Sequence, residues 1–243
     1  MFNFVPSFMK QAVHFEELGT MDYQEAWEYQ EKLLDSNVKV KSSKWLTEEA
    51  IAEHAETKHH LLFVEHPPVY TLGKSGKIGN VLISDENRKK NRIGFYRTNR
   101  GGDITFHGPG QLVVYTIFDL EKFYTDIGRF LRSLEEVIIR TLADYGIAAG
   151  RFKGETGVWL DPGIKGKERK ICAIGIRCSR WITMHGLALN INTNLDYFND
   201  IVPCGITDKQ VTSLQKELGR EVDMKEIKEK VRYYFEEVFE IVL

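Results

Sequence analysis

The chain has 243 residues, 42% of them hydrophobic and 28% charged, with a formal net charge of −2. That apolar share fills one sizeable core, while the near-neutral balance lacks the basic excess of a nucleic-acid binder. No stretch approaches the roughly 18 uninterrupted apolar residues of a membrane helix, and residues 1–10 have neither the basic lead nor the apolar run of a signal peptide. The expectation is a cytoplasmic protein with no membrane and no nucleic-acid partner.

Residues 1–12 read as an N-terminal tail ahead of a single domain over 13–243. Asp22 followed by Glu25 resembles a capping box with Asp in place of Ser or Thr. Tyr23, Ala26, Trp27, Leu33 and Leu34 then share one helical face, which predicts a helix over 22–36 packed on a sheet, its aromatic residues in the core. Strand signals follow at 60–64, closed by Pro67 and Pro68, and at 93–98, 104–107 and 111–120. His59, His60 and His66 crowd the start of this region and read as surface or edge residues.

Ile127, Phe130, Leu131, Leu134, Val137, Ile138 and Leu142 recur at helical spacing and predict a long helix over 125–145, with Gly146 where a C-cap falls. Three further strands, 155–160, 170–178 and 181–191, precede helical patterns at 211–218 and 224–240. Strands in adjacent runs, with helices before, between and after them, predict an α+β fold with a mixed, largely antiparallel sheet flanked by helices.

The three cysteines, Cys172, Cys178 and Cys204, are an odd number with no CxxC pair, which argues against a disulfide framework and a structural zinc site. The segment at 100–111, Arg-Gly-Gly-Asp-Ile-Thr-Phe-His-Gly-Pro-Gly-Gln, surrounds a short strand with four glycines, one proline and one histidine. Glycine lets backbone approach a ligand closely, so the segment is either a pocket wall or a tight hairpin corner.

Lys170 opens an apolar strand in which period 2 places Lys170, Cys172, Ile174, Ile176 and Cys178 on one face. Either Lys170 points inward and loses its proton through desolvation, or it snorkels to water. Cys172 and Cys178 read as small buried hydrophobes. Cys204 differs from them: it sits between Pro203 and Gly205, in a turn, where a thiol reaches a cleft and the Gly205 N–H can face an oxyanion. It needs a base or cation beside it to act as a nucleophile. His107 and His185 are the two histidines placed near a pocket. The basic clusters at 88–92 and 165–170 are either solvated loops or a docking surface for an acidic partner.

Together these segments resemble one family, the octanoyl-acyl-carrier-protein:protein N-octanoyltransferases (the LipB family). The resemblance is carried by the 100–111 segment, with Leu18-Gly19, Tyr23, Gln30, Tyr70-Thr71-Leu72-Gly73 and Gly157-Val158-Trp159 in the same order. After these come Lys170-Ile171-Cys172-Ala173-Ile174-Gly175-Ile176-Arg177, His185-Gly186-Leu187-Ala188-Leu189-Asn190 and Pro203-Cys204-Gly205-Ile206. It covers about residues 13–215. The basic insert at 163–169 and the tail before residue 13 stand outside it.

The resemblance implies a fold like the catalytic domains of biotin and lipoate protein ligases. It also implies transfer of an octanoyl group from octanoyl-acyl carrier protein to a lysine of lipoyl domains, those of 2-oxoacid dehydrogenase complexes and the glycine cleavage H protein. Residue by residue it implies Cys204 as the acyl-carrying nucleophile and Lys170 as the base. The acyl-binding residues it implies are Arg100, Gly101, Gly102, Asp103, Ile104, Thr105, Phe106 and His107, then Ala173, Ile174 and Gly175, and Gly186, Leu187 and Ala188. No cofactor and no metal are implied. The alternatives are an ATP-dependent lipoate or biotin protein ligase, a lipoyl amidotransferase, and a non-catalytic acyl carrier binding module.

Overall fold

The structure is a computed structural model that describes residues 10–43, 56–202 and 210–243. Three long strands hold its centre. β6 (Gln111–Ile117) and β10 (Ile182–Asn190) are buried along their whole length, and they pair antiparallel. β9 (Arg169–Ser179) pairs antiparallel with the other side of β10. Continuous burial of a strand requires cover on both faces of the sheet, and the helices supply it.

On one face lie α3 (Ile127–Ala143) and α5 (Met224–Phe239). Phe130, Leu134, Val137, Ile138 and Leu142 of α3 are fully buried, as are Ile227, Val231 and Phe235 of α5. Each such side chain contributes about 1.5–3 kcal/mol by leaving water. Asp126 caps α3 by accepting from the Arg129 N–H, and Asp223 caps α5 through the Lys225 N–H. Beyond α3, Gly146 takes φ +72°, the left-handed turn expected of it.

The opposite face carries α1 (Tyr23–Ser43), through Ala26 and Leu34. Two amides share that face. Gln30 accepts from the His185 N–H, and Asn37 exchanges two hydrogen bonds with the backbone of Lys58. α1 runs past the expected end at 36.

The sheet is mixed. From one edge the order is β12 (Ile241–Val242), β1 (Gln11–Thr20), β2 (His59–Glu65), β6, β10, β9, β8 (Val158–Leu160) and β7 (Ala149–Gly150). The β12–β1 and β1–β2 pairs are parallel, and the central pairs are antiparallel. β11 (Gln210–Val211) adds parallel to the start of β9. A second, three-stranded sheet, β3 (Val69–Leu72), β4 (Gly94–Arg97) and β5 (Ile104–His107), packs its own apolar cluster of Tyr70, Leu72, Ile93, Ile104, Phe106 and Ile201. The α+β expectation holds.

Several expectations change. β1 carries no clean alternation and was invisible in the sequence pattern, and its first residues, Gln11 and Ala12, belong to the strand that pairs with β12, not to a tail. The pattern at 211–218 splits into β11 and a short helix, α4 (Leu214–Leu218). The cluster at 88–92 is the end of helix α2 (Asp85–Lys90), where Arg88 pairs with Asp85 and lies over the Phe95 ring. In the second cluster Arg169 is bound by Asp161 and Glu217, so only its earlier lysines, Lys165 and Lys167, stand in solvent. Among the described residues, no helix is long and apolar enough to cross a membrane.

His59 and His66 are not surface residues. β2 is an interior strand between β1 and β6, and His59, which opens it, and His66, which directly follows it, are both buried. His59 Nδ1 accepts from the Asp119 N–H. His66 Nδ1 donates to the Met21 carbonyl, 2.7 Å away, which leaves its Nε2 to accept from the Tyr115 hydroxyl. Burial pushes both down to about 4.

A folded-state value below the unfolded one has a definite sign. Above pH 6.5 both rings are neutral whether the chain is folded or not. Below it the unfolded chain binds protons that the folded chain refuses down to about pH 4. Stability should therefore fall with acidification in that window, by up to about 1.4 kcal/mol per pH unit for each histidine. Urea denaturation at about pH 7 and about pH 5 measures this, and His66→Gln should flatten the slope. A flat wild-type profile would contradict the buried neutral state.

Candidate active site

The site forms where β9 loses a neighbour. Its first residues, 169–172, lie between β8 on one side and β11 and β10 on the other. From Ala173 onward, among the described residues, only β10 pairs with it. In place of a strand, the loop at 100–103 meets the open edge, and the Gly101 N–H donates to the Ile176 carbonyl at 2.9 Å. Gly175 is required there. A Cβ on it would lie 2.8 Å from the Gly101 carbonyl oxygen. Between the loop, β9 and β10 runs a cavity of about 380 Å³, within the usual size of a small-ligand pocket.

Arg100, Gly101, Gly102, Asp103, Ile104, Thr105 and His107 line this cavity, with Ala173, Ile174, Gly175, Gly186, Leu187, Ala188 and Lys170. The structure thus gathers segments from three distant stretches of chain. Phe106 is the exception. Strand alternation turns it away from the cavity, and it stacks on Tyr197 at 4.4 Å between ring centroids.

The sequence reading missed Tyr23, Val113, Tyr115, Leu131 and Val211, which line the cavity as well. Period 2 on β6 connects Gln111, Val113 and Tyr115, a signal readable once Gln111 is placed. Tyr23 corrects the assignment of the first helix's aromatics to the core alone. It is buried, yet it faces the cavity and stacks on His107.

Arg100 binds the loop to itself. Its Nη2 donates to the Thr71 and Asp103 carbonyls at 2.6 and 2.9 Å, and its Nη1 to the Gly101 carbonyl at 2.9 Å. The turn after β3 joins by backbone: Gly73, Lys74 and Ser75 donate to Asp103, Arg100 and Gly102. The cavity wall is therefore built of backbone held by a guanidinium.

His107 is locked. Its Nδ1 donates to Gln111 Oε1 at 2.8 Å, while Gln111 Nε2 donates to the Phe106 carbonyl and to Asn190 Oδ1. Its Nε2 accepts from the Thr71 hydroxyl. Full burial drives it well below the ordinary histidine range, so the ring stays neutral and orients its neighbours. His185 lies in the left-handed region at φ +61° in the middle of β10. Its Nε2 donates to Asn99 Oδ1 at 2.7 Å, and Asn99 in turn donates to Glu31. Burial pushes His185 down to about 3.

Lys170 lines the cavity, with its Nζ 4.6 Å from the centre of the Trp159 ring. The expected common face of Lys170 and Cys172 is broken. Val158 pairs with Cys172 but Trp159 with Lys170, so one residue of β9, Ile171, bulges. The bulge sends Cys172 into the main core, fully buried and with its thiol pushed up, while Lys170 keeps the cavity. Cys178 is half-buried. Cys204 lies outside the described residues, with its neighbours Pro203, Gly205 and Ile206. Phe198 before it and Val211 after it both line the cavity, and Val211 pairs directly with Lys170.

Beside Lys170, the fully buried Glu135 of α3 holds the neighbouring loop. It accepts from Arg132, from Arg151 and from the Gly157 N–H at 2.6, 3.0 and 3.0 Å. Gly157, at φ +117°, leaves no room for a side chain against the Cys172 carbonyl, and the Lys170 stem lies alongside it. Among the described residues, no cluster of His, Cys, Asp or Glu is arranged to hold a metal ion.

The model of the lipoyl protein ligase A/B catalytic domain matches residues 22–236. The chain belongs to that family. It is 51% identical over 238 residues to an octanoyltransferase of Christiangramia forsetii, covering 97% of this chain and 99% of that protein. An octanoyltransferase of Flavobacterium johnsoniae is 51% identical over 233 residues, covering 96% and 98%. At that identity over nearly full length, the chain is an acyltransferase. The fold matches the bipartite lipoate protein ligase of Thermoplasma acidophilum with a TM-score of 0.67 at 18% identity, over 96% of this chain and 86% of that one.

Gly175→Ala tests the cavity wall. Its Cβ must part Gly101 from Ile176, and we expect a loss of about 1–3 kcal/mol, read as a lower urea midpoint. An unchanged midpoint would mean that the loop does not sit on β9.

Proposed function

We propose that this acyltransferase moves an octanoyl group from acyl carrier protein onto a lysine of a lipoyl domain, through a thioester on Cys204 with Lys170 as base. The observation that carries the reading is the cavity itself. Lys170 stands at one end of β9, and the apolar groove of Ala173, Ile174, Leu187 and Ala188 runs along the strand away from it. A chain of six buried methylenes gains about 5 kcal/mol there, at about 0.8 kcal/mol each.

Lys170 takes the Cys204 proton, and the thiolate attacks the donor's thioester carbonyl. The carrier thiol leaves with that proton, so acyl-Cys204 replaces acyl-carrier at nearly constant free energy. Lys170 then accepts a proton from the incoming lysine, whose nitrogen displaces the cysteine sulfur. Amide formation from a thioester runs downhill, so the sequence needs no nucleotide. The face of Trp159 favours the ammonium that Lys170 becomes in each half-reaction. The glycine-rich backbone beside the cavity offers N–H groups to each oxyanion. Partners of this reading are octanoyl-acyl carrier protein and lipoyl domains, in the cytoplasm.

Intact mass spectrometry after mixing with octanoyl-acyl carrier protein should show a gain of one octanoyl group, removed by added thiol and absent in Cys204→Ser. Lys170→Ala should slow acyl transfer by about 10²–10⁴-fold, the usual worth of a positioned base. A gain that persists in Cys204→Ser moves the nucleophile elsewhere. No gain, with incorporation of free lipoate when ATP is added, replaces the reading with a ligase.

A further inference from the structure

The acyl cavity shares Gly154, Glu155 and Thr156 with a second, open cleft. The other walls of that cleft are Arg132, Arg151, Phe152 and Lys153. Among the described residues, three cations and a single carboxylate, Glu155, therefore face it. Two of the cations are held from behind. Arg132 and Arg151 both bind the buried Glu135, and Arg151 Nη2 also donates to Glu136 and to the Arg132 carbonyl. These bonds use Arg151 Nε and Nη2. Its Nη1 has no partner among the described residues, and the side chain remains 37% exposed. Lys153 is exposed, without a hydrogen bond or ion pair among the described residues. A guanidinium fixed in place with N–H groups to spare is suited to a phosphate oxygen.

Direction decides what belongs there. Gly157 places the end of this loop against the Lys170 stem. An acyl chain runs from Lys170 along β9, so whatever hangs on the other side of the thioester leaves past Thr156, Glu155 and Gly154. We propose that the cleft binds the phosphate of a phosphopantetheine arm, with the thioester at Lys170 between the two subsites. The inference rests on the thioester donor proposed above and adds the group by which that donor is held.

The test compares kcat/KM for octanoyl-phosphopantetheine and octanoyl-pantetheine at low salt. The wild type should prefer the phosphorylated donor about tenfold, and Lys153→Glu should bring the ratio close to one. Lys225→Glu, on the exposed side of α5, should leave the ratio unchanged and controls for net charge. Because the readout is a ratio of donors, a general loss of fold or of catalysis does not imitate it. Octanoyl-coenzyme A and octanoyl-acyl carrier protein distinguish the sources of the phosphate: the source is the donor whose rate falls with Lys153→Glu by the same factor as octanoyl-phosphopantetheine. Equal rates from the two small donors, or a preference that survives Lys153→Glu, would overturn the subsite while leaving the transferase intact. Transfer from none of the four would overturn both.

Discussion

The site depends on an edge. Among the described residues, β9 from Ala173 onward has a strand neighbour on one side only, and a sheet edge exposes N–H and C=O groups that must find partners. Here the loop at 100–103 takes that place, and its bond from Gly101 to the Ile176 carbonyl closes the cavity. A strand in the same position would have filled the space. A loop of glycines, stitched by Arg100 to its own carbonyls and to Thr71, leaves a cavity there. The closest approaches are backbone to backbone, so the glycines at 101 and 175 belong to one constraint.

The same economy governs the buried polar groups. Arg100, His107, Gln111 and Asn190 surround the cavity, and each is tied to a neighbour through a hydrogen bond. A buried polar group without a partner costs about 1–3 kcal/mol, so these bonds hold the wall in one arrangement. Burial, not these bonds, keeps His107 and His185 neutral. Lys170 lines the same cavity, brought there by the bulge at Ile171. Without that extra residue, alternation would set Lys170 and Cys172 on one face.

Glu135 links the two faces of the chemistry. It sits fully buried on α3, yet its carboxylate reaches the Gly157 N–H beside Lys170 and two arginines at the surface. Removing either arginine would leave the buried carboxylate a partner short, while the arginines themselves keep contact with water. The helix that covers the core therefore also positions the lip shared by the acyl cavity and the cationic cleft.

Much of this was legible in the residues. Helical periodicity placed α3 and α5, where amphipathic faces decide the outcome locally, and runs of β-branched residues placed β6, β9 and β10. The glycine-rich segment at 100–111 announced close backbone approach, and family resemblance marked the residues that line the cavity. Other features were set by long-range pairing. β1 is a strand because β2 and β12 flank it, not because it alternates. His59, in β2, and His66, just past its end, are buried because β2 lies inside the sheet, a fact of strand order that no local pattern encodes. Phe106 leaves the cavity and Lys170 enters it through alternation and its interruption, which depend on register. Local chemistry determined which residue types were present for the reaction. Only tertiary structure decided which of them share a cavity, because a sheet's neighbours come from stretches of chain far apart in sequence.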